Sequence, residues 1–221
     1  AEVNYAALEK RYKQGWVMEI CKDLEQCVKS IKEARAQKKT TSIAFHGNIV
    51  DLWERLAQEE ENIVELGSDQ TSLHNPYNGG YYPAGLTMEE SNKLIKEDPV
   101  KFKQLVQESL RRQVVAINKL VAKGMKFYDY GNSFMLEASR ANADILDSNT
   151  KSGFRYPSYV EDIMGDVFSL GFGPFRWVCT SGNADDLRHT DKIAADIITK
   201  LKGETKNVKC VQQFDDNYLW I

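Results

Sequence analysis

Between Gly67 and Thr87 the chain reads Gly-Ser-Asp-Gln-Thr-Ser-Leu-His-Asn-Pro-Tyr-Asn-Gly-Gly-Tyr-Tyr-Pro-Ala-Gly-Leu-Thr, with nearly every kind of hydrogen-bonding group and almost no aliphatic side chain. Hydroxyls, amides, a carboxylate and an imidazole in one stretch are the groups that recognise a polar small molecule, and tyrosines add flat apolar faces. A connection of this length without structure of its own is either functional or disordered. Disorder is the poorer reading, because Tyr77, Tyr81, Tyr82 and His74 are not what a solvated linker carries. Asn78-Gly79-Gly80 and Pro83 set fixed turns. Gln70, Thr71, Ser72 and His74 have two uses open to them, as turn formers bonding their own backbone or as groups facing a ligand. Their density favours a binding loop.

Other positions could join such a site. Glu2 is placed where the strand-end acidic residue of a dinucleotide-binding fold accepts hydrogen bonds from ribose hydroxyls, although a solvated glutamate is the plainer alternative. The Gly-rich phosphate loop that should lie about 20 residues earlier is not in this sequence. Asn48 follows a strand and Gly47, where it can cap the next helix; a helix N-terminus also attracts anions, and the two roles are compatible. Arg176, between Pro174-Phe175 and Trp177, can stack on aromatic rings or grip a carboxylate in two-pronged fashion. Cys21, Cys27, Cys179 and Cys210 show no Cys-x-x-Cys spacing and no histidine partner for zinc. They read as reduced packing residues, Cys179 being the best placed as a reactive thiol. No metal motif, Walker loop or Ser/His/Asp signature is present.

Positioning these groups requires alternating elements. Leu24, Cys27, Val28, Ile31 and Ala34 share one face of a helix predicted over 24–36. A short strand is expected over 41–45, a turn at His46-Gly47-Asn48, a helix from Ile49 to Gln58, and a second strand at Ile63-Val64-Glu65-Leu66. Strand, helix, strand at this spacing reads as a crossover unit of a parallel sheet. Thr87-Met88-Glu89-Glu90 is a capping box opening a helix that Asp98-Pro99 interrupts. Phe102, Leu105, Val106, Leu110, Val114, Ile117 and Leu120 then mark a long helix to Ala122. A third strand at Phe127–Tyr130 and helices over 134–143 and 185–201 complete the pattern. The site-like clusters at 46–48, 67 onward and 129–132 all fall at the carboxyl ends of strands, where open α/β sheets bind ligands.

With 221 residues, 42% of them hydrophobic, the chain can bury a sizeable core. Its 29 basic and 32 acidic residues are interspersed, giving a net charge of -3 and no footprint for nucleic acid or an anionic membrane. No apolar run approaches the roughly 18–20 residues that span a bilayer, and the first residues carry no signal-peptide pattern. A cytoplasmic location is the expectation.

Three motifs carry a resemblance. Gly67 through Pro83, then Phe127-Tyr128-Asp129-Tyr130-Gly131-Asn132, then Gly173-Pro174-Phe175-Arg176-Trp177 with Ser181-Gly182, closely resemble the urocanase (urocanate hydratase) family in order and spacing. The resemblance runs from Glu2 to Trp220-Ile221. Its Gly-Gly-Tyr-Tyr version and Gly15-Trp16-Val17-Met18-Glu19 look more like the eukaryotic branch. It implies an α/β fold, a Rossmann-like parallel sheet flanked by helices and incomplete on its phosphate-loop side. It further implies tightly bound NAD+ acting as an electrophile, with urocanate hydrated to 4-imidazolone-5-propanoate in histidine degradation by a cytoplasmic homodimer. The NAD contacts implied are Glu2, Asn48, Ile49, Gln70, Thr71, Ser72, Leu73, His74, Tyr81, Tyr82 and Tyr130, with Arg176 on the substrate carboxylate. An arginine that many bacterial members have shortly after the ribose-binding glutamate corresponds here to Ala7.

Because the family enzyme is considerably longer, its phosphate loop is expected before Ala1 and its catalytic Asp and NAD-proximal Cys after Ile221. No catalytic residue is therefore assigned in this chain, Cys179 and Cys210 do not inherit that role, and the chain alone is expected to be inactive. The expected domains are 1–203, Rossmann-like with a helical insertion at about 87–123, and 204–221, a connection toward a further domain. A non-catalytic NAD-binding structural or sensing module is the alternative.

Overall fold

A computed structural model of the chain describes residues 1–166, 179–206, 208–219 and 221. Contacts divide it into Ala1–Gly165 and Asp166–Ile221, upstream of the 203/204 boundary read from the sequence. The first unit runs α1 (Tyr5–Lys13), β1 (Glu19–Cys21), α2 (Leu24–Ala36), β2 (Ile43–Phe45), α3 (Ile49–Leu56), β3 (Leu66–Asp69), a 3-10 turn (Pro76–Asn78), α4 (Met88–Glu97), α5 (Pro99–Ala122), β4 (Lys126–Asp129), α6 (Phe134–Arg140) and a π-helical turn (Val160–Met164). The second holds α7 (Ala184–Glu204) and α8 (Val208–Leu219), joined by a Lys202–Asp215 ion pair.

The strands are parallel, as expected, but are laddered differently. β1 pairs with β2 and β3 with β4, so β2 and β3 belong to separate two-stranded ladders. On the edge of β2 away from β1, Glu2 forms a parallel bridge to His46. There the Glu2 N–H donates to the Phe45 carbonyl and the Gly47 N–H to the Glu2 carbonyl, while the His46 N–H faces Cys21 on the other side. α1 and β1 escape a periodicity reading for physical reasons: α1 buries only Leu8, and β1 is three residues long.

The second expected strand is displaced. Ile63 and Val64 pack against the core without pairing, and the paired residues are Leu66–Asp69. Gly67 makes this possible, since a Cβ there would lie 2.9 Å from the Trp53 ring and 3.0 Å from the Met125 sulfur. The smallest residue lets β3 press onto the core, whereas β-branched residues at 63–64 suggested a strand by propensity alone. β4 likewise begins one residue earlier than expected, at Lys126.

Helix ends follow their local chemistry. Asp23 caps α2 by accepting from the Gln26 N–H, and both halves of the Thr87–Glu90 capping box form at α4. Asp98 closes α4 and caps α5, with Pro99 in the first turn. α5 is the spine of the unit. Phe102, Val106, Leu110, Val114, Ile117 and Leu120 are buried in one cluster with Val50, Trp53, Phe127 and Phe134. Two polar residues interrupt that stripe, Ser109 and Gln113, and both are buried.

Candidate functional site

Because β3 and β4 are parallel and in register, Asp69 and Asp129 stand side by side at their carboxyl ends. Both are buried, which for a carboxylate demands compensating donors. Asp69 Oδ1 accepts from the Thr71 N–H at 3.0 Å, the Thr71 hydroxyl at 2.6 Å and Asn132 Nδ2 at 2.7 Å. Its Oδ2 accepts from Gln113 Nε2 at 2.7 Å. Asp129 accepts from the Gly131 and Met135 N–H groups. Each aspartate thus bends the loop that follows its own strand. Asn132 ties the two loops together, since it also donates to the Thr71 carbonyl at 2.7 Å.

The loop after β3 closes on itself. The Ser72 N–H donates to the Gly80 carbonyl and the Gly80 N–H to the Asn75 carbonyl, both at 3.1 Å. Gly80 sits so tightly in this ring that a Cβ would fall 2.2 Å from the Ser72 carbonyl oxygen. Tyr77 secures the loop tip by donating to the buried Glu137 at 3.3 Å.

Between the loop and the Glu2 segment lies a cleft of about 590 Å³ lined by Ala1–Asn4, Gly47–Ile49, Ser68–Ser72, Gly79–Tyr82 and Met88. That volume is within the usual range for small-molecule sites. Glu2, Asn48, Ile49, Gln70, Thr71, Ser72, Tyr81 and Tyr82 meet there, though not all with free side chains. The Asn48 side chain is already engaged: Oδ1 caps α3 by accepting from the Val50 N–H at 2.9 Å, and Nδ2 donates to the Tyr82 carbonyl at 2.8 Å. The Tyr82 hydroxyl donates to Asn92 at 2.9 Å. Tyr81, 1% exposed, sends its hydroxyl inward to Gln113 Oε1 at 2.9 Å. Burial first, and then the negative charge of Asp69, push its phenol well above the ordinary value, so it stays a donor. Glu2 accepts from the Asn4 N–H at 2.8 Å through one carboxylate oxygen, Oε1. His46 Nε2 donates to the Val3 carbonyl at 3.2 Å and steadies that segment.

Three other expected site residues lie away from the cleft lining. Leu73 is fully buried in the core. His74 pairs its Nδ1 with the Ser133 hydroxyl at 2.9 Å, linking the same two loops as Asn132. Tyr130 is stacked on Tyr159, ring centres 4.6 Å apart, with Tyr128 close by. Arg176 lies outside the described residues. Asp69 and Asn132 fall inside the site-like clusters at 67 onward and 129–132, and Tyr159 in a later aromatic cluster, but none had a role assigned from sequence; Gln113 was not singled out. A usable signal existed for Gln113, a polar residue on an apolar helical stripe. For Met88, at the start of α4, no such signal exists. A second hollow, about 400 Å³ between α3 and α5, is walled by charged residues including the Arg112–Glu54 pair and lies away from the strand ends.

Family comparison gives two matches that between them cover nearly all of the chain. Residues 1–163 match the Urocanase Rossmann-like domain and residues 166–221 the Urocanase C-terminal domain. The chain is 59% identical over 223 residues to a "Probable urocanate hydratase" of Caenorhabditis elegans and 59% identical over 225 residues to one of Dictyostelium discoideum. It is 52% identical over 226 residues to the "Urocanate hydratase" of Homo sapiens. Each alignment takes in 100% of this chain and 33% of the relative, so the chain spans about a third of the length of the curated relatives it matches.

Proposed function

We propose, from the premise that this chain belongs to the urocanase family, that it forms the NAD-holding part of a urocanate hydratase acting in histidine degradation. The observation that supports this best is the convergence of Glu2, the α3 N-terminus and Gln70–Ser72 on one cleft beyond the carboxyl ends of parallel strands. The polar lining suits a dinucleotide. Glu2 has a second carboxylate oxygen to accept from ribose hydroxyls, and the polar side chains of Gln70, Thr71 and Ser72 line the facing wall. When bound, NAD+ supplies an electron sink for the conjugated ring and side chain of urocanate, to which water is added.

Within this reading the chain binds and orients. Tyr130, its ring braced by Tyr159, offers a flat face to a planar ring. Arg176 is the partner for the urocanate carboxylate. No residue of this chain is assigned a bond-making role, and the isolated chain is expected to lack hydratase activity. The whole enzyme is proposed to be a cytoplasmic homodimer.

The test uses a protein of the relatives' full length that carries this chain, freed of cofactor and then supplied with NAD+. Loss of the ultraviolet absorbance of urocanate is expected. NAD retention without turnover would leave only a cofactor-binding module, and neither retention nor turnover would remove the assignment.

A further inference from the structure

Ser109 and Gln113 lie one turn apart on the buried face of α5, among residues that are otherwise apolar. Neither lines the cleft. Nonetheless, the cross-element hydrogen bonds of their side chains all end on its wall or just behind it. The Ser109 hydroxyl accepts from the Ala84 N–H at 2.9 Å. Gln113, 0% exposed, donates to Asp69 Oδ2 at 2.7 Å and accepts from the Tyr81 hydroxyl at 2.9 Å.

Chemistry fixes the orientation of that amide. A carboxylate only accepts, so Nε2 must face Asp69, and Oε1 is left for the phenol, which burial keeps protonated. The chain of donors therefore runs one way, from Tyr81 through Gln113 to Asp69, where Thr71 and Asn132 also converge. It joins the strand end, the segment after the loop and, through Asn132, the loop after β4. Packing alone gives no reason for a glutamine here, since leucine would fill the stripe with no polar atoms of its own to satisfy.

We infer that Gln113 is a positioning residue for the cofactor cleft, holding the walls at 69–72 and 81–84 at a fixed separation from inside the core. This rests on the NAD-binding reading for its ligand but not for its geometry. The experiment therefore has a ligand-free arm and a ligand arm, both on a protein of the relatives' full length, with Gln113→Leu, Tyr81→Phe and the double variant.

In the first arm, amide hydrogen exchange without ligand should quicken at Thr71, Ser72 and Ala84 in Gln113→Leu, while the amides of α2 keep their protection. In the second, NAD+ should bind about tenfold more weakly to either single variant, as expected when a buried polar partner is orphaned. The double variant should be no weaker than the worse single one, because one chain of bonds is being broken twice. A lowered unfolding midpoint with loop exchange and NAD+ affinity both unchanged would overturn the inference. Should Gln113→Leu fail to fold, Tyr81→Phe removes a single hydroxyl and decides the matter by the same readings. If the unaltered protein takes up no NAD+, the cofactor reading falls, and the exchange arm alone decides the positioning role.

Discussion

Replacing Gly80 by alanine adds one carbon where the loop after β3 closes. That carbon would fall 2.2 Å from the Ser72 carbonyl oxygen and 2.5 Å from that of Asn75. Carbon and oxygen settle at roughly 3.3–3.6 Å, so the ring must open by about an ångström. Both neighbours are backbone and neither can rotate away. Opening breaks the Ser72-to-Gly80 and Gly80-to-Asn75 bonds, each 3.1 Å long, and each is worth about 0.5–1.5 kcal/mol net. The closed form is thus disfavoured by about 1–3 kcal/mol, which corresponds to about 5- to 150-fold in apparent affinity if the closed loop is the binding form. Calorimetric titration of NAD+ into cofactor-free protein measures that loss. Urea unfolding should register much less, because the cluster around Phe102, Val106 and Leu110 is untouched. Wild-type NAD+ affinity in Gly80→Ala would refute the reasoning that loop closure makes the site.

Three further outcomes follow from the same structure. Gly67→Ala should overpack β3 against Trp53 and Met125 and lower stability by about 1–3 kcal/mol, read as a shift in the urea midpoint; no shift would mean the strand has room to move. Burial and the Glu19 carboxylate push the Cys21 thiol up to about 12. A raised thiol pKa delays thiolate formation to higher pH, so at pH ~8 the reactive fraction is on the order of 10⁻⁴, against about a quarter for an ordinary thiol. Iodoacetamide followed by mass spectrometry should then mark half-exposed Cys179 and spare Cys21 until unfolding, and equal labelling rates would contradict the burial argument. Arg176→Ala should weaken urocanate binding by the about 1.5–3 kcal/mol of a charged hydrogen bond while NAD+ stays bound; loss of both ligands together would make Arg176 a structural residue.

Local signals carried furthest where chemistry and periodicity agreed. The amphipathic stripe placed α2 at Leu24–Ala36, the Thr87–Glu90 box opened α4, and Asp98-Pro99 broke the helix where expected. The strands were harder. β3 follows Gly67 and the buried Asp69 rather than the branched residues at 63–64, because close approach to Trp53 matters more than propensity. The two ladders depend on contacts between distant segments, as does the bridge from Glu2 to His46, and no local pattern encodes them.

The candidate site was legible as a composition and not as a geometry. The run from Gly67 to Thr87 announced polar recognition, yet its aspartate, tyrosines and glycine have different tasks. Asp69 turns the loop, Tyr81 points into the core, Tyr82 ties to Asn92, and Gly80 lets the ring close. A linear reading cannot separate the groups that face a ligand from those that hold the ligand-facing groups in place. That division depends on Gln113 and Asn132, 44 and 63 residues beyond Asp69.

The most direct test of the account is to locate NAD+ on a protein of the relatives' full length by structure determination of the complex. The adenosine ribose is expected against Glu2, with the dinucleotide passing along Gln70–Ser72 beyond the ends of β2 and β3. NAD+ bound elsewhere, with the Glu2 cleft vacant, would contradict it.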